Sequence, residues 1–373
     1  MTTGSQDFNY HAYIYETDNH PSRTPTSGGA AIGSGLNTLS NFNWLNFERV
    51  KWSECSNASG ADCLTPKGFT FMRVSVDEGV YLDVYNMHAD AGTEDRDLAA
   101  RRSNLEQVSE YIETWSEGNA VLVYGDTNCR YTRAGDDVQG FVDRNGLTDP
   151  WVQLIHGGDV PTEESVCENP STTNECEVVD KVFYRGSPII ELLATEFSYD
   201  SEGFLQEDGN ILSDHNPIAV SLNWSLSDEF RQSNYLGGPH GTWFTDLTAL
   251  NEKSAGTKAS EITLRGAERL DSIGLTLDDG TSFAHGGTGG SETSLALAED
   301  EYWTGAVLCQ GKKGHRTRIF YVEATTSAGN VVSSGTETSE CESFSAPDGW
   351  QIVGFLGRSG DEVDQLALIY APQ

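Results

Sequence analysis

Two histidines and several carboxylates stand where apolar runs of the chain begin or break off. They lie in Asn86-Met87-His88-Ala89-Asp90, Gly125-Asp126-Thr127-Asn128, Val179-Asp180-Lys181 and Ser213-Asp214-His215-Asn216-Pro217. Carboxylates suit a hard cation such as Mg2+ or Mn2+, which neutralises phosphoryl oxygens, and an imidazole can exchange a proton with water near neutral pH. An Asp beside that imidazole would fix its tautomer and raise its basicity. Together these groups suit phosphate-ester hydrolysis. Singly they say less: an Asp-x-Asn often builds a turn, Asp180 could pair with Lys181 or Arg185, and Asp90 is expected only to cap its loop.

The elements that must bring these groups together are strand-like runs at 80–85, 120–124, 178–184 and 218–222. A strand that runs apolar and then breaks into Asp, Asn or His leaves those side chains at a sheet end, where loops gather. Leu98, Arg101, Leu105, Val108, Ile112 and Trp115 recur at steps of three and four, which predicts a helix over 96–115. Strands alternating with polar loops and a helix read as α/β. Beyond residue 237 the rhythm changes. The last 137 residues hold 20 of the 39 glycines, short alternating segments such as 262–264 and 273–277, and turns at Asp278-Asp279-Gly280 and Ala328-Gly329-Asn330. That part reads as all-β with hairpins. The polar stretch 225–235 is expected to link a domain at 1–224 to another at 236–373.

At roughly 150 residues per domain, 373 residues fit two domains, and 37% apolar content supplies a core for each. The net charge of −34, about −24 of it before residue 236, disfavours tight binding to polyanions except through a bridging cation. No run reaches the roughly 18 apolar residues of a membrane span, and the first residues carry no secretory leader. Six of the seven cysteines nonetheless fall in pairs, Cys55 with Cys63, Cys167 with Cys176 and Cys309 with Cys341. With sequons at Asn57 and Asn223 they favour a secreted glycoprotein whose leader lies upstream. Cys129 is left to seek a partner outside the chain.

In this order and spacing, the Asn-x-His, Gly-Asp-x-Asn and Ser-Asp-His motifs resemble the endonuclease/exonuclease/phosphatase superfamily, also called deoxyribonuclease I-like. The segment Gly33 to Ser40 and the Lys67-Gly68-Phe69 step are similar to it as well, so that the resemblance covers about 8–224. It implies a two-sheet sandwich flanked by helices, with the site at one end of the strands. It also implies roles. His215 would be the general base, or an imidazolium facing the phosphate, oriented by Asp180. Asp214 would hold the metal, Mg2+ or Mn2+, or its water. Asp126 and Asn128 would position the nucleophile and a phosphoryl oxygen, and His88 would bind a phosphoryl oxygen or assist the leaving group. The family's opening strands, one ending in the Gln-Glu that supplies the main metal ligand, do not match. Tyr10 to Glu16 resembles the segment just after that glutamate, so the sandwich is expected to be incomplete at its N-terminus, with a central strand unpaired.

The second part opens with Gly237-Gly238-Pro239-His240-Gly241, contains His285-Gly286-Gly287, and closes with Gly354-Phe355-Leu356-Gly357-Arg358-Ser359-Gly360-Asp361-Glu362-Val363-Asp364. Glycine-rich loops let backbone N–H groups approach a ligand, and an Asp can accept hydrogen bonds from vicinal hydroxyls. The set resembles a jacalin-like lectin domain over 236–372, which implies a β-prism of three four-stranded sheets. By that match Gly241, Asp361 and Glu362 would donate backbone N–H groups and the Asp364 carboxylate would bind sugar hydroxyls. Mannose- or glucose-type glycans are the expected ligands, although Asp361 stands where many members carry an aromatic.

The expected activity is therefore metal-dependent phosphodiester hydrolysis, tethered to glycans, provided that the full-length protein supplies the missing glutamate; efficient hydrolysis by this chain alone is not expected. A lipid headgroup ranks first as substrate, nucleic acid second and inositol phosphate third. The alternative is a catalytically inactive carbohydrate-binding protein built on a degenerate phosphoesterase scaffold.

Overall fold

A computed structural model describes residues 15–25, 34–253 and 256–373. Gly33 and residues 10–14, which carry part of the family resemblance, lie outside them. The chain divides into two compact units, one formed by 1–76, 81–186 and 191–225, the other by 77–80, 187–190 and 226–373.

In the first unit, β1 (Ser22–Arg23) pairs with β2 (Leu39–Ser40). The main sheet runs in the order β3 (Trp44–Lys51), β4 (Gly68–Asp77), β5 (Val80–His88), β6 (Ala120–Asp126) and β7 (Asp180–Arg185), with β5 and β6 parallel. Side chains alternate between its faces. Phe69, Phe71, Tyr85, Met87, Val121, Val123 and Phe183 point to one face and meet Leu105, Val108 and Ile112 of α1 (Asp95–Trp115) and Phe141 of α2 (Val138–Asn145). The α1 residues recur at three- and four-residue steps because only one side of that helix faces the sheet. Its N-terminus is closed by a reciprocal capping box between Glu94 and Asp97. The opposite sheet face gathers Met72, Val74 and Val84 with Trp44, Phe47, Leu122 and Tyr124. A second layer, β8 (Ile190–Tyr199) paired with β9 (Ile218–Leu226), meets α3 (Pro150–Ile155) through Phe197, Ile218, Val220, Trp151 and Val152. Between β6–β7 and β9 lies a cavity of about 540 Å³, walled by Leu122, Val182, Ile218, Val220 and Leu222.

This is the α/β arrangement of a deoxyribonuclease I-like sandwich, with a correction. The main sheet is continuous, and it is the second layer that has only two paired strands among the described residues. Cys129 also departs from expectation. It sits in the core among the helix-facing side chains, and burial pushes its thiol up to about 12, so it is not available to a partner outside the chain. The other six cysteines form the three expected disulfides.

The second unit is a β-prism. One sheet joins β15 (Ser282–Gly286), β14 (Leu270–Leu277), β13 (Ala259–Gly266) and β16 (Ser291–Ala296). Another joins β19 (Val331–Gly335), β18 (Arg316–Thr326), β17 (Trp303–Lys313) and β20 (Glu340–Ser345). The third contains β12 (Thr242–Thr245), β21 (Trp350–Ser359) and β22 (Val363–Pro372), with β10 (Arg231–Gln232) and β11 (Leu236–Gly237) both on β22. Ile262, Leu264, Ile273, Leu308, Val322, Phe355 and Leu368 fill the core without exposure. Part of the expected linker is therefore sheet: Gln232 pairs with Ile369, and Phe230 and Ser233 are buried.

Candidate active site and lectin loops

Register builds the first site. His88, the last residue of β5, lies opposite Asp126, the last of β6, and Asp126 lies opposite Asp180, the first of β7. All three occupy the face away from the helices, because Met87, Val123 and Phe183, on the other face, stand one, three and three positions from His88, Asp126 and Asp180. The loop before β9 then delivers His215, whose Nδ1 is 2.6 Å from Asp180 Oδ2 and whose Nε2 is 3.9 Å from Asp126 Oδ2. His88 Nε2 is 3.4 Å from the same Asp126 oxygen, and its Nδ1 is 3.2 Å from the Ser34 carbonyl. Asp126 thus stands between two imidazoles. Gly125 permits this row to form: its φ is +132°, and a Cβ there would come within 2.1 Å of the Met87 carbonyl oxygen.

The electrostatics separate the two histidines. Its hydrogen bond to Asp180 raises His215 to about 9, which makes it an imidazolium at neutral pH. Burial lowers His88, keeping it neutral, and raises Asp126, with Asp180 adding to that rise. Asn128 has a positive φ of 51°, its N–H bonded to Asp126 Oδ1 at 2.9 Å and its Nδ2 to the Ala89 carbonyl at 3.1 Å. Lys181, the alternative partner of Asp180, instead bonds Glu177 at 3.1 Å, and Arg185 bonds the Asn145 carbonyl at 2.6 Å. Asp90 accepts the Ser56 N–H at 2.8 Å, a loop-capping contact.

Asp126, Asp180 and His215 each offer a ligand atom within 4.8 Å of the others. Two carboxylates match the number a Mg2+ ion commonly takes while keeping several waters. Asp214 is exposed and stands outside this group, because consecutive side chains leave the backbone in different directions and the loop turns the His215 ring inward.

In the second unit the opening and closing glycine loops meet. Gly241 has a φ of +71°, and a Cβ on it would lie 2.6 Å from Asp364 Oδ2. The Gly238 N–H bonds the Asp364 carbonyl at 2.8 Å, and the Gly360 N–H bonds the Glu362 carbonyl at 3.0 Å. Asp361 is exposed at the tip of the closing loop. The Asp364 carboxylate, expected to meet sugar hydroxyls, turns Oδ2 toward Gly241 but is already engaged through its other oxygen. Asp364 is 1% exposed with Oδ1 held by Arg318. Glu362 is 5% exposed and faces Arg269, Lys313 Nζ at 3.2 Å and Arg318 Nε at 3.1 Å. The sequence reading missed these cations. Their signal was the run Lys312-Lys313-Gly314-His315-Arg316-Thr317-Arg318 in a strongly acidic chain.

Residues 2–221 match the family described as Endonuclease/Exonuclease/phosphatase family 2. The chain belongs to that family. Residues 233–369 match the jacalin-like lectin domain, and the three-sheet prism is its fold. The chain is similar to proteins named "Sphingomyelinase" from Mycobacterium tuberculosis and Mycobacterium bovis, 36% identical over 226 residues, which is 59% of this chain and 44% of each relative. The chain thus spans less than half the length of those relatives. A "Secreted RxLR effector protein 19" from Plasmopara viticola is 31% identical over 159 residues, covering 40% of this chain and 85% of that protein. Among solved structures, a mannose-binding jacalin-related lectin from Ananas comosus is 22% identical with a TM-score of 0.34, covering 39% of this chain and 99% of that one. Calystegia sepium agglutinin is 20% identical, also with a TM-score of 0.34, covering 39% and 98%. No helix among the described residues is long and apolar enough to cross a membrane.

Proposed function

We propose that the first unit is a metal-dependent phosphodiesterase and that the jacalin-like unit holds it on glycans. The observation that carries the reading is the row His88–Asp126–Asp180, with His215 2.6 Å from Asp180. His215, an imidazolium oriented by Asp180, faces the scissile phosphate and neutralises charge on it. Asp126 and Asn128 position the attacking water, and neutral His88 binds a phosphoryl oxygen or serves the leaving group. Asp126 and Asp180 would hold a divalent ion, Mg2+ or Mn2+. When bound, that ion supplies Lewis-acid polarisation of the phosphoryl group. Asp214, outside the cluster, is left to a water of that ion.

A phosphodiester lipid headgroup is the favoured substrate. The similarity to sphingomyelinases supports it, and the net charge of −34 works against direct binding of nucleic acid. Tethering raises the local concentration of a substrate displayed on a glycan-bearing surface. The three disulfides and the exposed sequons at Asn57 and Asn223 support a secreted, glycosylated protein. The observation favouring the alternative, a carbohydrate-binding protein on an inactive scaffold, is that only two carboxylates belong to the described cluster.

The test is hydrolysis of sphingomyelin, DNA and inositol phosphates by the folded chain with Mg2+, with EDTA, and as His215→Ala. Metal-dependent turnover of sphingomyelin that the substitution removes is the expected result. No turnover of any of them by folded protein overturns the enzymatic reading and leaves the lectin as the function.

A further inference from the structure

We infer that the loop end of the β-prism takes a saccharide bearing negative charge, a carboxylated or sulfated sugar, in preference to a neutral hexose. The inference rests on the reading of that unit as a lectin and concerns its ligand class. A site for a neutral sugar needs a carboxylate free to accept hydroxyl hydrogen bonds. Here Asp364 Oδ1 belongs to Arg318, which leaves Oδ2, toward Gly241, for hydroxyls, and Glu362 is surrounded by Arg269, Lys313 and Arg318. Burial of the two acids fixes their pairings with Arg269 and Arg318, since a buried charge that loses its partner is strongly disfavoured, whereas Lys313, half exposed, can leave Glu362 for a ligand without stripping it of partners.

Cations gather at this end. The chain has nine Lys and Arg after residue 235, and five of them, Arg269, Lys313, Arg316, Arg318 and Arg358, belong to this cluster. The acids facing them are Glu362 and Asp364, with exposed Asp361 on the closing loop and Asp271 behind the 286–290 turn. His240, lowered by burial, also feels Arg316, Arg318 and Arg358. At the tip of the β17–β18 hairpin, Lys313 lies directly opposite Arg316, with both side chains substantially exposed. Like charges placed opposite each other in a ladder repel, and an anion between them turns that repulsion into two attractions. The hairpin is against the sugar loops, because a Cβ on Gly238 would lie 2.6 Å from the Thr317 carbonyl oxygen. A saccharide seated at Gly241 therefore finds Lys313 and Arg316 beside it. Arg318, already spent on Asp364 and Glu362, positions the site.

The experiment is titration calorimetry of the full chain with trimannoside, sialyllactose, a heparin-derived sulfated disaccharide and inorganic sulfate, at two salt concentrations. Phosphatidylserine vesicles form a separate arm. The charged saccharides should bind at least tenfold tighter than trimannoside, weaken in high salt, and lose at least tenfold in a Lys313→Ala/Arg316→Ala variant. The two saccharide probes separate carboxylate from sulfate as the recognised group. Gly241→Val, which blocks the loop, should abolish saccharide binding with the prism still folded by circular dichroism. Trimannoside binding as tight as the charged sugars, insensitive to the double substitution, overturns this inference and leaves the lectin reading standing. Binding of no saccharide overturns both. Inorganic sulfate or the vesicles binding as tightly as the charged sugars, regardless of Gly241→Val, shows a general anion patch and also overturns it.

Discussion

The two sites are assembled by different means. In the first unit, strand register sets His88, Asp126 and Asp180 side by side, so their spacing is as fixed as the ladder itself. In the lectin unit, three loops converge, and the arrangement is held by ion pairs among Arg318, Glu362 and Asp364. A register-built site keeps its geometry while its chemistry changes one residue at a time. A loop-built site can change its ligand when a neighbouring hairpin acquires charge.

If the sites are independent in this way, His215→Ala or Asp126→Ala lowers hydrolysis by about 10³-fold or more, the range of positioned acid–base groups. Saccharide affinity should stay within twofold of the parent chain. Parallel loss of both activities in steady-state assays and calorimetry would break the comparison. Next in size is Cys309→Ser with Cys341→Ser. Opening a crosslink of sequence separation 32 costs about 3–4 kcal/mol by chain entropy, read as an earlier melt of the prism by differential scanning calorimetry. Melting of the first unit should not move.

Gly125→Ala probes the ladder itself. The new methyl meets the Met87 carbonyl, so β5 and β6 must separate, destabilising the first unit by about 2–4 kcal/mol in urea. Hydrolysis per folded molecule should also fall, since His88 and Asp126 end those two strands. The smallest effect belongs to Asp90, raised to about 6 by burial. Its folded value lies above its unfolded one, so the stability it contributes is complete below about pH 4 and lost as pH rises through 6. Asp90→Asn should therefore gain about 1–2 kcal/mol at pH 7 and nothing at pH 4, measured by urea melts at both values.

The motifs of the first site were legible because each lies where an apolar run begins or ends, and alternation fixes the face on which its side chains emerge. What the sequence did not carry was the pairing across the sheet. Nothing local says that Asp126 lies opposite Asp180, 54 residues later, or that Lys181 turns away to Glu177. The prism was legible from its turns and closing glycines for a similar reason, since both are short-range signals. The pairing of Arg318 with Asp364 spans 46 residues and depends on how one hairpin folds against another loop. Asp364 therefore read as wholly open to ligand when one of its oxygens is already engaged. The same distance effect hid the role of residues 231–232, whose polar character suggested a linker although they complete a sheet edge.

Cys129 has a practical consequence. The other six cysteines are oxidised, so this chain carries one thiol, and it lies in the core of the first unit. A maleimide dye can reach it only while that unit is open. Labelling rate against temperature or denaturant then acts as a stopwatch for opening of the first unit, silent to the β-prism, with no engineered label required.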